Sequence, residues 1–471
     1  MTGPELGIRD LWRYSAVQAA ATLREGRASA PELLEACLER LAATSALNAL
    51  CCTDRGGARR AAQASAERYR AGRALSPVDG VPVVVKDNLF VGGLPATWGS
   101  RRWRGFVPER DDLSVGRLRA AGAVIVGKTN TPELAMSSNT DNLVFGVTRN
   151  PHDLRLTPGG SSGGTAAAVA AGVVPFGLGT DSGGSIRAPA SLSGIYGLRP
   201  TNGRVPRAYG FPPLALDFQV VGLMARTLAD LAAYFGVLAG ADPRDPASLL
   251  APAYPPVPAP RVGWFSSVDG AAAEPETTEH LDAAAGALAA SGLAVARVRA
   301  PYTLAPVSEI WGVLVSAGVA AAQESAPQPG EQLTGQIAAL VAGAARISGV
   351  DYCRTVSAVT ATRRAISAAW PDADVLLTPA LTTAAWPAGL GAPPAVTGQP
   401  GAPGPVSAFL QWVNLMGYPA ICVPAGRYRD GRPCGVQLVA RPGHERTLLA
   451  LAATLDSALA PDHAPVFAGT L

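Results

Sequence analysis

The chain has 471 residues, of which 48% are hydrophobic and 16% are charged; this is enough apolar material for a large core and excludes a disordered chain. Its net charge of +3 comes from scattered residues of both signs, so no basic run indicates nucleic acid and no basic amphipathic helix indicates a membrane surface. Charged residues near the N-terminus, where a signal peptide needs an apolar segment, lead us to expect a cytoplasmic protein.

The first part of the chain predicts helices followed by buried strands. Apolar residues recur at helical spacing over 11–41, and Ser29, Pro31 and Glu32 mark the start of a second helix within this range. The elements predicted next are a helix at 58–70, a strand at 81–85, a helix at 113–121 and a strand at 123–126. The strands are short β-branched runs, which is typical of a sheet covered on both faces.

The middle, 146–210, is rich in glycine, serine and proline, and we predict one helix there, beginning near Thr165. Later helices are predicted at 228–238, 278–290, 307–324, 352–370 and 445–459, and strands at 261–265, 293–298, 373–378, 420–423 and 436–439. Proline- and glycine-rich stretches at 241–260 and 388–405 are predicted to be surface loops. This alternation predicts a single large α/β domain with a central mixed, mostly parallel sheet and helices on both faces.

The loop Pro158-Gly-Gly-Ser-Ser-Gly-Gly164 fits the nucleophile pattern G-x-S-x-G with either of its serines. It follows an Arg-Leu-Thr-Pro turn instead of a strand, and the sequence offers no clear histidine base. We expect all four histidines to lie on the surface: His152, His280, His444 and His463. From the local pattern alone, the serines are candidate nucleophiles or simply caps of the following helix.

A second motif, Gly122-Ala-Val-Ile-Val-Gly-Lys-Thr129, satisfies the formula of a phosphate-binding loop. The residues between its glycines form the predicted strand, and Asn-Thr-Pro follows where a helix should begin. We therefore predict no nucleotide site here.

Two further features carry chemistry. Adjacent glycines in Gly179-Thr-Asp-Ser-Gly-Gly-Ser-Ile-Arg187 can aim successive N–H groups into one concavity, beside a serine that could attack a carbonyl. Lys86 ends the strand 81–85 and is either a surface residue or a buried amine whose lowered pKa makes it a base. Composition alone leaves both interpretations open.

Taken together and in order, the motifs resemble the amidase signature family. They are Gly80-Val-Pro-Val-Val-Val-Lys-Asp-Asn88, Gly127-Lys-Thr-Asn130, the loop 158–164, the loop 179–187, Gly197-Leu-Arg-Pro-Thr201 and Gly417-Tyr-Pro-Ala-Ile-Cys-Val-Pro424. The resemblance covers nearly the whole chain. It implies one amidase signature domain over 1–471, with a catalytic core at about 75–240 and a more variable pocket region at about 241–420.

The resemblance also implies the role of each catalytic residue. Ser185 is the nucleophile, Ser161 the bridging serine in a cis Gly160–Ser161 peptide, and Lys86 the base. Ser161 lies 185 − 161 = 24 residues before Ser185, the spacing typical of the family. No metal or organic cofactor is implied. Arg199 and Ser193 stand where many relatives carry lysine and cysteine.

The same resemblance implies the surroundings of the reacting carbonyl. The oxyanion hole consists of the main-chain N–H groups of Ser182, Gly183, Gly184 and Ser185. The acyl pocket is lined by Ala135, Met136 and Ser182, whose small or apolar character suits a neutral or aromatic acyl group. We expect Asp181 and Arg187 to pair and brace the nucleophile loop. Trp311, Trp386 and Trp412 are candidates either for closing the pocket or for the core.

We therefore predict a serine amidohydrolase that cleaves a linear carboxamide, aryl amides included, through an acyl-enzyme. A carbamate or ester hydrolase is one alternative, and an A-type amidotransferase subunit working in a multi-subunit complex is another. A non-catalytic scaffold that keeps the fold is the third. The expected partner is a small-molecule amide, with neither nucleic acid nor membrane, and a homodimer is an expected assembly.

Overall fold

An eleven-stranded mixed sheet forms the centre of the computed structural model, which describes residues 7–393 and 405–469. The described strands are β1 (Leu50–Thr53), β2 (Pro82–Lys86), β3 (Val124–Thr129), β4 (Phe176–Asp181), β5 (Tyr196–Arg199), β6 (Val220–Ala225), β7 (Val262–Trp264), β8 (Ser267–Val268), β9 (Ala271–Ala272), β10 (Val295–Arg297), β11 (Val375–Pro379), β12 (Ala420–Arg427) and β13 (Pro433–Ala440). The strand order is β1-β3-β2-β4-β6-β5-β12-β13-β11-β7-β10, and β8 and β9 form a separate hairpin.

The predicted α/β domain with a mixed central sheet is confirmed. Parallel pairing occurs in two blocks, β3-β2-β4 and β11-β7-β10, which supply four of the ten neighbouring pairs described in the eleven-stranded sheet. The other six pairs are antiparallel, so parallel pairs are fewer than the sequence led us to expect. One reason is the short turn between β12 and β13, because a connection of this length joins only antiparallel strands.

Helices cover the sheet. The described α-helices are α1 (Ala16–Arg24), α2 (Ala30–Ala43), α3 (Arg55–Arg70), α4 (Leu113–Ala120), α5 (Gly163–Ala170), α6 (Arg187–Ser193), α7 (Leu228–Leu238), α8 (Pro246–Leu250), α9 (Pro275–Ala290), α10 (Leu304–Glu324), α11 (Gly335–Ala344), α12 (Gly349–Ala369), α13 (Gln411–Met416) and α14 (Glu445–Leu459). The larger apolar core joins the sheet to α1–α3, α5, α7, α9 and α14, and a second core packs around α10–α13.

The predicted helical region 11–41 is divided into α1 and α2. Gly26, between them, has φ +69°, a left-handed conformation that favours glycine. The side chain of Ser29 accepts a hydrogen bond from the Glu32 amide, and the Glu32 side chain accepts one from the Ser29 amide. This capping box starts α2 at the place that the sequence indicated.

Several elements in the middle of the chain were not predicted, among them β4, β5, β6 and α6. Glycine is a poor strand former in isolation, but here its small size is required. A Cβ at Gly177 would lie 2.3 Å from Thr165 Cγ2, and one at Gly179 would lie 2.7 Å from Ile186 Cδ1. The glycines of β4 thus allow α5 and the start of α6 to approach the sheet closely.

Two predicted loops and the long apolar helix α10 remain to be described. The predicted loop 241–260 contains the short helix α8, and part of the predicted loop 388–405, residues 394–404, lies outside the described residues. Among the described helices, α10 is the one long and apolar enough to cross a membrane by length and composition. It buries one side in the second core, as a core helix of a globular protein does.

Candidate active site

Lys86 and the loop after β4 meet at one edge of the sheet. Because β2 and β4 are parallel neighbours, their carboxyl ends lie side by side. The Lys86 side chain is completely buried, and its Nζ lies 2.7 Å from Ser161 Oγ and 3.1 Å from Thr180 Oγ1. Asn88 Nδ2 donates to the same Thr180 hydroxyl at 3.0 Å. The structure therefore joins Lys86 and Ser161, which the sequence separates by 75 residues.

The surroundings of Lys86 favour its uncharged form. Burial is the main cause and lowers the pKa of Lys86 to about 7, although the carboxylates of Asp181 and Asp87 oppose the shift. A large fraction of the Lys86 side chains is then neutral near neutral pH. Of the two interpretations left open by the sequence, the structure supports the buried amine.

Ser161 and the glycine before it pack against a different segment of the chain, residues 131–137. The Gly160–Ser161 peptide bond is cis, as the family resemblance implied. A Cβ at Gly160 would lie 2.4 Å from the Ser137 carbonyl oxygen, so only glycine fits there. The Ser161 carbonyl accepts a hydrogen bond from Thr131 Oγ1 at 3.0 Å. These contacts leave the Ser161 hydroxyl facing Lys86.

The serine next in sequence has a different role. Ser162 Oγ donates to the Thr180 carbonyl at 3.2 Å, and the Ser162 N–H donates to the Ser185 carbonyl, also at 3.2 Å. The second bond connects the two glycine and serine loops directly. Among the described residues, the hydrogen bonds include none between the hydroxyls of Ser161 and Ser185.

The loop that carries Ser185 is folded around a buried carboxylate. Asp181 accepts hydrogen bonds from the Gly184 N–H at 2.8 Å and the Ile186 N–H at 3.2 Å. Arg187 donates two more, each at 3.0 Å, and both side chains are completely buried. The expected pairing of Asp181 with Arg187 is thus present, and it organises the backbone on both sides of Ser185.

The charge of Asp181 is stabilised by several donors. Burial by itself would raise the pKa of this carboxyl group, but the Arg187 and Arg199 guanidinium groups and the Asn414 amide hold it well below its ordinary value. Arg199 also donates to the Asp181 carbonyl at 2.9 Å, and burial lowers the pKa of Arg199 to about 9. Asp181 therefore remains an anion that fixes the loop.

The expected oxyanion hole needs one correction. The Gly184 N–H points at the Asp181 carboxylate, because Asp181 binds both Gly184 and Ile186 across the turn. This donor is therefore already occupied. Of the four expected donors, the N–H groups of Ser182, Gly183 and Ser185 remain.

A cavity of about 200 Å³ opens above this loop. Ser185 lines it, and so do Ala135, Met136 and Ser182, the three residues expected in the acyl pocket. Of the three candidate tryptophans, Trp311 lines the cavity, whereas Trp386 and Trp412 are buried in apolar cores. Gly160, next to Ser161 in the chain, lines the same cavity as Ser185.

Three further residues of this site were not predicted from the sequence. Thr180 and Asn88 form the hydrogen bonds beside Lys86, and Asn414 holds the Asp181 carboxylate. Thr180 and Asn88 lie inside the quoted motifs, next to residues that were singled out. Asn414 lies far away in sequence, and no local signal connects it with Asp181.

The other sequence candidates lie outside the cavity. The residues of the phosphate-loop formula form β3, and Lys128 Nζ is completely buried and donates to the Asp87 carbonyl at 3.0 Å. The histidines are less exposed than expected, since all four are partly buried. Burial lowers the pKa of His152 to about 4, and its ring contacts the Ser193 carbonyl.

A family model described as Amidase matches residues 32–449. The chain therefore belongs to the amidase signature family, as its ordered motifs predicted. Among its curated relatives is the A subunit of glutamyl-tRNA(Gln) amidotransferase from Chloroflexus aggregans, 38% identical over 93% of this chain and 94% of that protein. The corresponding protein of Anaeromyxobacter dehalogenans is 37% identical over 97% of this chain and 98% of that protein.

Solved structures agree with this assignment. The structure of 6-aminohexanoate cyclic dimer hydrolase superposes with a TM-score of 0.84 at 31% identity, over 97% of this chain and 99% of that one. A bacterial aryl acylamidase of the amidase signature family has a TM-score of 0.84 at 26% identity, over 94% and 96% of the two chains. The fold is thus shared with both hydrolases over almost the entire length.

Proposed function

We propose that this protein cleaves a carboxamide, with Ser185 as nucleophile, Ser161 as proton relay and Lys86 as base. The observation that carries the proposal is the buried contact of 2.7 Å between Lys86 Nζ and Ser161 Oγ, beside a cavity that Ser185 lines. An amine kept uncharged by burial has a lone pair that can accept a proton from a serine hydroxyl.

The proposed reaction uses these three residues in turn. Neutral Lys86 accepts the proton of Ser161, which takes the proton of Ser185 as the Ser185 oxygen bonds to the amide carbon. The carbon–nitrogen bond then breaks, and the relay returns the proton to the departing nitrogen as ammonia or an amine. Water then attacks the resulting ester by the same route; the bond between the acyl carbon and Ser185 Oγ breaks, the carboxylic acid leaves, and the Ser185 hydroxyl is restored.

Main-chain donors balance the charge that develops on the carbonyl oxygen. The N–H groups of Ser182, Gly183 and Ser185 remain for this purpose, since Asp181 occupies that of Gly184. Preorganised donors of this kind stabilise the tetrahedral intermediate without reorganisation during the reaction. The hydrogen bonds of Asp181 keep the loop in shape.

A second candidate is the A-type subunit of an amidotransferase, which would cleave an amide and pass the ammonia to a partner. The curated relatives described above are amidotransferase subunits by name, at 37–38% identity over nearly their full length. They support this alternative better than they support a free-standing amidase. The solved neighbours, in contrast, are named as a cyclic dimer hydrolase and an aryl acylamidase. Both candidates share the same chemistry at Ser185.

Ser185→Ala tests the shared chemistry. We expect product release from a panel of substrates to fall at least about a thousandfold, measured as ammonia for primary amides, aniline for anilides, and the alcohol or amine for esters and carbamates. Labelling by a fluorophosphonate probe should disappear. Ser193→Ala is the matched control, because its buried hydroxyl on α6 has no hydrogen-bond partner in the described structure. Full activity of Ser185→Ala would refute the proposal.

A pair of variants, Ser161→Ala and Ser162→Ala, tests the proposed role of Ser161 as proton relay. Ser161→Ala should reduce kcat by about 10²–10⁴-fold, the usual contribution of a positioned proton-transfer group. Ser162→Ala removes the neighbouring hydroxyl, which contacts the Thr180 carbonyl, and should retain most of the activity. Equal effects of the two substitutions would contradict the assignment of Ser161.

The two candidates differ in what accompanies the chain. An amidotransferase subunit should co-purify with partner proteins and cleave glutamine in their presence. A free amidase should cleave simple amides as an isolated chain. Purification at native expression level, followed by ammonia assays with and without co-purifying proteins, distinguishes them.

A further inference from the structure

We infer that the acyl pocket selects an uncharged acyl group and that Trp311 forms its specificity-determining wall. This inference rests on the proposed function, and it narrows the substrate class of the same site. Three features support it. The described residues that line the pocket are uncharged, the segment 375–426 that supplies part of the lining contains no charged residue, and the Trp311 indole lies against the loop of Ser185.

Among the described residues that line the cavity, none is charged. Apolar side chains, among them Met136, Trp311 and Leu410, face uncharged polar ones such as Gln336 and Ser407. Such a surface provides hydrogen bonds and apolar contact but no counter-ion.

One long segment of the chain that contributes to the pocket also lacks charged residues. From Val375 to Gly426 the chain contains no Asp, Glu, Lys, Arg or His. This segment supplies part of the lining, namely Leu381, Gly391, Val406, Ser407, Leu410 and Gln411.

Two carboxylates near the pocket, those of Glu133 and Asp181, already have partners within the protein. Glu133 accepts hydrogen bonds from Ser100 Oγ at 2.6 Å and from the Thr334 N–H and hydroxyl, each at 2.7 Å. Asp181 is bound by Arg187 behind the nucleophile loop. Neither group is available to pair with a charged substrate.

An uncharged pocket should bind charged acyl groups less favourably than neutral ones. A buried charge without a partner is strongly disfavoured, whereas a neutral chain gains by leaving water. Glutamine carries an ammonium and a carboxylate at the end of its acyl part, and a simple aliphatic amide of the same length carries neither. The pocket should therefore favour the aliphatic amide.

Trp311 lies directly against the nucleophile loop. Its ring stacks on Phe218 with 5.4 Å between centroids and 14° between planes. A Cβ at Gly183 would lie 2.8 Å from Trp311 Cζ2, so the indole covers the glycine whose N–H is a candidate oxyanion donor. An acyl group held at Ser185 then meets a rigid, flat apolar wall.

The test compares pentanamide with L-glutamine, which differ at the far end of the acyl chain only in the charged groups. Assayed on the full-length chain, with and without any co-purifying proteins, kcat/KM for pentanamide should exceed that for glutamine at least about 100-fold. Equal or better use of glutamine would overturn the inference while leaving the proposed function intact. Cleavage of no amide, together with no labelling of Ser185, would overturn both.

Two variants test the residues themselves. Gln336→Arg places a cation at the exposed mouth of the pocket and should raise kcat/KM for glutaric acid monoamide at least about tenfold, whereas the uncharged Gln336→Met should not. Trp311→Ala should raise KM for benzamide at least about tenfold, and Trp311→Phe should restore most of the binding. An unchanged KM in Trp311→Ala would refute its role as the wall.

Discussion

At the scale of single residues, the site depends on one lysine that its surroundings keep uncharged. Lys86 is completely buried, and its amine contacts the hydroxyls of Ser161 and Thr180. These neutral partners do not compensate a full positive charge as a carboxylate in direct contact would. Burial therefore governs the pKa of Lys86 and makes it suitable as a base near neutral pH.

This assignment predicts the pH dependence of the reaction. With the pKa of Lys86 lowered to about 7, the amine is mostly neutral above this value and mostly protonated below it. The initial rate, measured from about pH 5 to about pH 9, should rise to a plateau and fall about tenfold for each pH unit on the acid side. A flat profile would contradict a lysine base.

At the scale of elements, the turn between β4 and α6 is held by its buried anion. Asp181 links the Gly184 and Ile186 amides to Arg187, and Arg187 in turn donates to Asn414 at 2.6 Å and to the Leu410 carbonyl. The loop that carries Ser185 is thereby connected to α13 and to the segment just before it, far away in sequence. A loop rich in glycine gains its defined shape from these contacts.

Asp181→Asn tests this connection. The substitution leaves the buried guanidinium group of Arg187 without its ion-pair partner and removes the negative charge near Arg199. Removing one partner of a buried pair typically costs about 3–5 kcal/mol of unfolding free energy. Urea unfolding should show the loss, accompanied by a reduced kcat. Glu35→Gln, at an exposed ion pair with Arg59, is the control and should change little. Comparable stability of the two variants would argue against the bracing role.

At the scale of the whole molecule, distant parts of the chain share one sheet. Strands β12 and β13 lie between β5 and β11, so the last third of the chain occupies the middle of the sheet. Ala420 pairs with Arg199, and Ile421 with Leu198. We therefore expect the regions 75–240 and 241–420 to fold as one unit.

A fragment of residues 1–240 tests this interdependence. It keeps β1–β6 but exposes the edge of β5 that β12 covers in the full chain. Unpaired edges promote association, so we expect the fragment to be aggregated or poorly folded in size-exclusion chromatography and circular dichroism. Co-expression with residues 241–471 should recover soluble material. A monomeric, well-folded fragment would show instead that the first half is autonomous.

Much of the fold was predictable because its signals are local. Helices with regular apolar spacing, such as α7 and α14, were predicted with the bounds that the structure has. Ser29 and Pro31 indicated the start of α2, and the β-branched runs indicated β2 and β3. The strands β4 and β6 were not predicted, because both contain glycine, which has a low strand propensity. The glycines are needed there because α5 and the start of α6 pack closely on these strands, a contact that the local sequence does not reveal.

The sequence by itself determined the family and the candidates for the reacting residues. Both can be recognised from the motifs and from their order along the chain, without coordinates. Only the tertiary structure decided that Lys86 is a buried amine in contact with Ser161, that Asp181 occupies the Gly184 amide, and that Asn414 supports the loop. It also decided which tryptophan faces the cavity. The physical reason is that burial, and with it the pKa and the free donors, depends on residues brought together from distant parts of the chain.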